Sequence, residues 1–315
     1  VNLEARDRIG GRINSIKDDK NQVEMGATWF GSHHTNLIEL LNTLEIPSFY
    51  QFQDGKAVFE ASSMAPVQVF ELPKGQQSSY RIKGGTITLL EKLSNQFSTE
   101  QLKLGEKVKS VKISENQVHL ESDKNFYDSI DLVISTLPPA LLANSITFTP
   151  SLPADVINLC NDTHTWMGDS IKFAVTYSTP FWRDLGFAGV GFSNASIASE
   201  IHDHVNFEKS RFALKGFLSP GAVKLDYNYR KKLVINQLKK FFGEEATKFV
   251  SYHETLWANE TFTMGGLSND LVPHQNNGNS AYQSPQLNGR VLISGSETSP
   301  VYGGYMDGAI HAANL

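Results

Sequence analysis

With a single cysteine, Cys160, in 315 residues, the chain can form no internal disulfide. A reducing compartment fits that usage, and a disulfide-stapled secreted scaffold is excluded. Basic excess is also missing: 28 Lys and Arg stand against 33 Asp and Glu, a net charge of −5. Without surplus positive charge there is nothing to neutralise phosphates, so no nucleic-acid partner is expected. The local cluster Lys231, Lys232, Lys239 and Lys240 reads as the solvated face of a helix. Apolar runs such as Leu132–Ile134 fall far short of the roughly 20 residues that span a bilayer. The opening Val1-Asn2-Leu3-Glu4 has no charged-then-apolar leader. A cytoplasmic protein with no membrane partner is the expectation. No repeat, heptad or low-complexity stretch points to a solenoid or coiled coil. No G-x-S-x-G occurs, which removes the nucleophile elbow of hydrolases. His33-His34 and His202-x-His204 lack the Cys or carboxylate spacing of a metal site and are expected to be surface or capping histidines.

What the chain does have is an ordinary globular composition, 40% hydrophobic and 19% charged, enough for one large or two medium domains. A strand over Val1 to Ala5 is followed by the turn-rich Arg6-Asp7-Arg8-Ile9-Gly10-Gly11-Arg12. Leu37, Ile38, Leu40, Leu41 and Leu44 recur at helical spacing, with Asn36 placed to cap and Pro47 to stop the run. Gln51 to Tyr80 is irregular. Gly84-Gly85 precede a second helix with Leu89, Leu90, Leu93 and Phe97. Lys107–Ile113 and Gln117–Ser122 alternate about a turn at Ser114–Asn116 and predict a hairpin. Ile130–Ser135 reads as a buried strand closed by Leu137-Pro138-Pro139. Ser170–Tyr177 alternates so that Lys172, Ala174 and Thr176 share the face opposite Ile171, Phe173, Val175 and Tyr177. A helix over Tyr229–Phe242 ends at Gly243, and Gly289–Gly295 returns to a strand before Gly303-Gly304 open a last helix. Both ends of the sequence fall inside predicted elements.

Two stretches suggest chemistry. An acidic residue ending a strand, here Glu4, can accept both ribose hydroxyls of an adenosine. The glycines that follow let backbone approach a phosphate, and Arg12 adds charge. A charged surface loop with a glycine turn is the competing reading. A strand, turn and helix from Gly289 through Gly304 would present free N–H groups to an anion.

The run Leu3-Glu4-Ala5-Arg6-Asp7-Arg8-Ile9-Gly10-Gly11-Arg12 resembles a segment of the flavin-containing amine oxidases, the monoamine and polyamine oxidase family. Glu24-Met25-Gly26-Ala27-Thr28-Trp29 is similar to the family's next segment. The stretch from Gly289 to Glu297 and the run Gly303-Gly304-Tyr305-Met306-Asp307-Gly308-Ala309 resemble its C-terminal signature. Ile134–Pro139 and Pro180-Phe181-Trp182 fit between them, in order. The resemblance implies an α/β fold: a Rossmann-like, three-layer FAD-binding domain into which a substrate domain on a mostly antiparallel sheet is inserted. It divides the chain into 1–50, 81–139 and 258–315 for FAD, and 51–80 and 140–257 for substrate. The partners it implies are FAD, a small-molecule amine and O2. The cofactor-binding residues it implies are Glu4, Ala5, Arg6, Gly10, Gly11, Arg12, Gly26, Ala27, Thr28, Trp29, Val108, Trp257, Gly295, Glu297, Gly304, Tyr305 and Met306. Met306 N–H is expected at the flavin's pyrimidine edge.

By the same resemblance Lys172 holds a water at flavin N5, and Tyr305 is one wall of an aromatic cage for the amine. The other wall falls at Ser268 after Gly265-Gly266-Leu267, a departure that leaves Tyr302 or Trp257 as substitutes. Leu267 stands where some relatives carry a flavin-linked cysteine, so the FAD is expected to be non-covalent. No G-x-G-x-x-G precedes Glu4, although such a turn normally lies about 20 residues ahead of the acidic residue. The first βα unit of the FAD fold is therefore read as missing from this sequence. Two alternatives accompany the amine oxidase reading: a cofactor-free, inactive fold, and an FAD-dependent C–C desaturase. Lys172 and Pro180-Phe181-Trp182 favour the amine branch.

Overall fold

The alternating stretch at the middle of the chain builds the centre of the largest sheet. The computed structural model describes residues 1–17, 22–73, 79–114, 117–268 and 270–315. In it the strand Ile171–Tyr177 is buried on both faces. Its neighbours are antiparallel on either side, Ser251–Leu256 and Phe212–Leu218. The sheet continues through Ala198–Asp203, Phe187–Ser193, Lys56–Glu60 and Gln68–Glu71, seven strands in all. Ile171, Phe173, Val175 and Tyr177 point into the main core, where Val234, Leu238, Phe241 and Phe242 of the helix Tyr227–Phe242 cover them. Asp226 caps that helix by accepting from Tyr229 N (3.0 Å), and Gly243 ends it. Lys240 leaves the solvated face to pair with the buried Glu60.

A second core gathers smaller sheets. Parallel pairs form between Asn2–Glu4 and Leu102–Leu104, and between Val133–Ser135 and Val291–Ile293. Four strands, Phe126–Ile130, Gln117–Ser122, Val108–Ser114 and Thr147–Thr149, make a further sheet. The expected hairpin is its centre; Glu115 and Asn116 of the expected turn lie outside the described residues, as do 74–78 of the irregular stretch. Val111, Val118, Leu142, Phe148, Val156, Val291 and Ile293 share this core, with Leu3 and Val133 packed against it. The helices Pro139–Ser145 and Ala154–Asn161 thus pack with these strands rather than with the seven-stranded sheet.

Two local expectations need correction. The stretch Ile130–Ser135 is not one buried strand. Phe126–Ile130 pairs antiparallel in one sheet and Val133–Ser135 parallel in another, so Asp131-Leu132 is the crossing point and Ile134 is exposed. Asn36 does not cap its helix either. The helix is Thr35–Thr43, and its Leu37 N donates to Asp307 Oδ1 (2.9 Å) while Asn36 Nδ2 donates to Asp307 Oδ2 (3.0 Å). The free N–H groups of one helix are met by a carboxylate from the first turn of another, Met306–Ala313.

Candidate active site

The face of Ile171–Tyr177 opposite the core carries Lys172, Ala174 and Thr176, and it looks onto the Gln22–Glu24 strand and the turn after it. Lys172 Nζ donates to Gly26 O at 2.7 Å from a buried position. Burial pulls its ammonium down to about 8, against the opposing pull of Glu24. Gly26 has no room for a side chain: a Cβ there would lie 2.0 Å from Arg12 O and 2.6 Å from Asn14 N. Met25 N, Gly26 N and Ala27 N all donate to the 12–14 backbone, which locks the two segments together. Trp257 is buried beside them, its indole N–H donating to Met25 O (2.9 Å).

A second lysine sits next to the first. In the register of the two strands Lys215 opposes Ala174 and Phe217 opposes Lys172, so both amines emerge on one face. Lys215 is fully buried, its Nζ donates to Thr28 Oγ1, and it lies 4.6 Å from the centre of the Trp29 ring. Thr28 Oγ1 in turn donates to Gly26 O (3.1 Å), so both lysines hang on the same carbonyl. Burial, then Lys172, push the Lys215 amine well below the ordinary lysine range. Trp29 is held edge-on by Gln51, whose Oε1 accepts from Nε1 at 2.8 Å.

Behind the lysines lies a buried ionic cluster. Glu24 Oε1 accepts from Thr86 N (2.7 Å) and Thr86 Oγ1 (2.8 Å), and Oε2 faces Arg81 Nε at 3.6 Å. His204 is not a surface histidine: it is buried, and its Nε2 accepts from Glu24 N (3.2 Å) and faces Arg81 Nη2 (3.3 Å). Burial, then Arg81, push its pKa well below the ordinary histidine range and keep it neutral. Asp203 next to it is answered by both Arg183 nitrogens and by Trp182 Nε1, each at 2.8 Å. His34 is also buried, at the N-cap of its helix, where its Nδ1 accepts from Gly31 N at 3.3 Å.

The glycine-rich loop is tied to the C-terminal signature. Arg12 is bidentate on Glu297, with Nη2 to Oε2 at 2.8 Å, and also donates to Ser296 Oγ (2.8 Å). Burial opposes both charges, but each partner outweighs it: Arg12 is held above its usual range and Glu297 below the usual carboxylate range. Gly10 and Gly11 turn the chain so that Ile13 N returns to Gly10 O (2.8 Å). Glu4 ends its strand with Oε1 accepting from Arg6 N (2.8 Å), after which Ala5 leads into the loop. Arg6 turns aside to Thr263 Oγ1 (2.9 Å) and Glu260. Val108 opens its strand two residues after Glu106, whose N donates to Glu4 O (2.9 Å). Gly295 lies 3.3 Å from the Thr136 and Leu137 carbonyls, measured from an added Cβ, beside the buried and unpartnered Ser135 Oγ.

Tyr305 sits at the N-cap of Met306–Ala313, and no side chain caps that helix. Its ring lies against His274 (5.5 Å, 20°), Trp166 (5.5 Å) and His34 (5.4 Å). Trp166 stacks on His274 at 4.0 Å. Gly304 has φ +87°, and a Cβ there would meet Trp166 Cβ at 2.6 Å, so only glycine lets Trp166 approach. Ser268 is exposed and bonded to Asp270, and Tyr302 packs on His33 and His34. The aromatic neighbours of Tyr305 are Trp166, His274 and His34. Sequence reasoning missed Trp166 and His274, along with Lys215, Glu24, Arg81 and His204. Lys215 had the same signal as Lys172, a lysine inside an apolar alternation.

The profile of the family described as "Flavin containing amine oxidoreductase" matches residues 3–64 and 57–315. Among curated proteins the chain is 28% identical over 203 residues to a putrescine oxidase of Kocuria rosea, covering 60% of this chain and 42% of that protein. It is 21% identical to a probable flavin-containing monoamine oxidase A of Dictyostelium discoideum over a 416-residue alignment, 98% of this chain and 89% of the relative. An L-amino acid dehydrogenase of Synechocystis is 26% identical over 73% of this chain and 48% of its own. The chain spans about half the length of most of these curated relatives. The fold is that of putrescine oxidase solved with putrescine (TM-score 0.84, 22% identity, 99% of this chain and 92% of that one). Cyclohexylamine oxidase from Brevibacterium oxydans superposes equally well (TM-score 0.84, 18% identity, 98% and 90%). Among the described residues no helix is long and apolar enough to cross a membrane, and no cluster of metal ligands occurs. The chain belongs to the flavin-containing amine oxidoreductase family.

Proposed function

We propose that this protein is an FAD-dependent amine oxidase whose reaction centre lies between the Gly26 turn, Lys172 and the Tyr305 helix start. The residues present fit that cofactor. Glu4 ends a parallel strand with a carboxylate, Gly26 brings backbone where no side chain fits, and the Met306–Ala313 helix starts without a side-chain cap. With Leu267 in place of a linking cysteine, FAD is held non-covalently. Bound there, FAD would accept a hydride from the amine's α-carbon and be reoxidised by O2 to hydrogen peroxide.

The chain's own residues do the rest. Lys172, buried and anchored on Gly26 O, orients a water by the hydrogens it has left to donate, and this contact is the observation that carries the reading. Ala27, Thr28, Trp29 and Gly295 line the cofactor by backbone or ring. Met306 N–H offers a donor to developing negative charge. Arg12 and Glu297 satisfy each other, so they act by clamping the glycine loop to residues 295–297 and present no free charge to a phosphate. Tyr305, with Trp166 and His274, forms the aromatic wall that attracts an ammonium and aligns its C–H bond.

In the domain division, 51–80 goes with 163–257, supported by the pairing of Lys56–Glu60 and Gln68–Glu71 into the large sheet. We group 140–161 with 1–50, 81–139 and 258–315, a reading supported by the core it shares with Val291 and Ile293. The putrescine oxidase and monoamine oxidase relatives oxidise amines by name, and small amines are the substrate class for this protein. The test is stopped-flow reoxidation of the reduced, FAD-loaded protein by O2: Lys172→Met should slow it at least tenfold, and an unchanged rate would remove Lys172 from the mechanism.

A further inference from the structure

We propose that Lys215 is the base that takes the ammonium proton of an incoming amine. The inference rests on the amine oxidase reading above and adds a residue to it. An alkylammonium has no lone pair to share with its α-carbon, so a C–H bond beside it cannot leave as hydride; the amine must first lose a proton. In that step one proton passes from R–CH2–NH3+ to the Lys215 Nζ lone pair. R–CH2–NH2 and a lysine ammonium result, and no electrons are exchanged.

The geometry points to Lys215 for three reasons. It lies over the Trp29 ring and one strand from Lys172, the two residues that the reading above sets beside the cofactor. Its lone pair is free, because Thr28 Oγ1 gives its own hydrogen to Gly26 O and receives one from Lys215. Its surroundings disfavour a resting charge. The groups facing it are Lys172 from its neighbouring strand, Arg81, the neutral His204, and Glu24, whose carboxylate is already engaged by Thr86 and faces Arg81. Both lysines face only Glu24 as a carboxylate, and Arg81, which Asp203 also answers, draws on Glu24 as well, all in a buried place. Burial and Lys172 push the Lys215 amine down in agreement with this.

Two measurements test the proposal. With lysine labelled at 13Cε, two-dimensional NMR of the protein alone should show a signal, lost in Lys215→Met, that titrates well below the ordinary lysine range. A Lys215 midpoint in the ordinary lysine range would overturn the proposal. In the FAD-loaded protein, Lys215→Met should lower kcat/KM at pH 7 at least tenfold. It should recover near wild-type values as pH approaches the pKa of the amine itself, where neutral substrate is supplied by solution. A deficit equal at every pH would mark Lys215 as structural and overturn the proposal while leaving the amine oxidase reading intact. A wild-type protein that oxidises no amine would overturn both.

Discussion

Lys172 gives the account a prediction that needs no cofactor. Its ammonium is lowered to about 8 from an ordinary 10.5, chiefly by burial. That displacement corresponds to about 3 kcal/mol at 1.36 kcal/mol per pH unit. Below pH 8 Lys172 is charged whether the chain is folded or unfolded, and the folded state bears the full cost of burying it. Between pH 8 and 10.5 the unfolded chain holds the extra proton, so folding becomes more favourable as pH rises. Lys172→Met abolishes this dependence. The comparison is best made in a Lys215→Met background, so that the neighbouring amine does not titrate. Urea unfolding of the two proteins at pH 7, 8, 9 and 10 should then show the Lys172 form gaining about 2.5 kcal/mol on its Met counterpart across the range. At pH 7 the Met form should be the more stable one, by less than the full 3 kcal/mol, because it also loses the hydrogen bond to Gly26 O. Parallel stability curves for the two proteins would refute the reasoning.

The remaining predictions concern the scaffold around that lysine. Gly26→Ala drives a methyl into Arg12 O, so it should lower stability by about 3 kcal/mol or more and weaken FAD retention, read by thermal denaturation and flavin fluorescence. Glu297→Gln leaves the partly buried Arg12 guanidinium without its counter-charge and should cost up to about 3 kcal/mol in urea unfolding. Removing both charges, as Arg12→Met with Glu297→Gln, should cost clearly less than the sum of the single changes; strict additivity would mean the pair does not hold the loop.

The parts of this molecule legible in its sequence are those whose signal is local. Alternation over Ile171–Tyr177 placed Lys172 on the face opposite the core, and that is where it lies. The helix Tyr227–Phe242 and its Gly243 end follow from periodicity and a positive φ. Contacts set by tertiary approach were not legible. Arg12 and Glu297 are 285 positions apart, and each alone reads as a free charge for a ligand. Asn36 satisfies a local capping pattern, yet it lies inside the helix and Asp307 from another helix accepts from Leu37 N. The Ile130–Ser135 run looks continuous because apolar residues continue through it; its division comes from two partners, one antiparallel and one parallel. Lys215 was legible and passed over, since Phe212–Leu218 carries it as Ile171–Tyr177 carries Lys172. The Trp166–His274–Tyr305 stack joins three distant segments with no shared pattern.

The most direct test of the central claim is a visible absorbance spectrum of the protein after FAD is added and the excess removed, followed by anaerobic addition of small amines. The account predicts flavin bands that survive desalting, bleach with an amine, and return on admitting O2. A protein that retains no flavin, or whose flavin bands no amine bleaches, would contradict it.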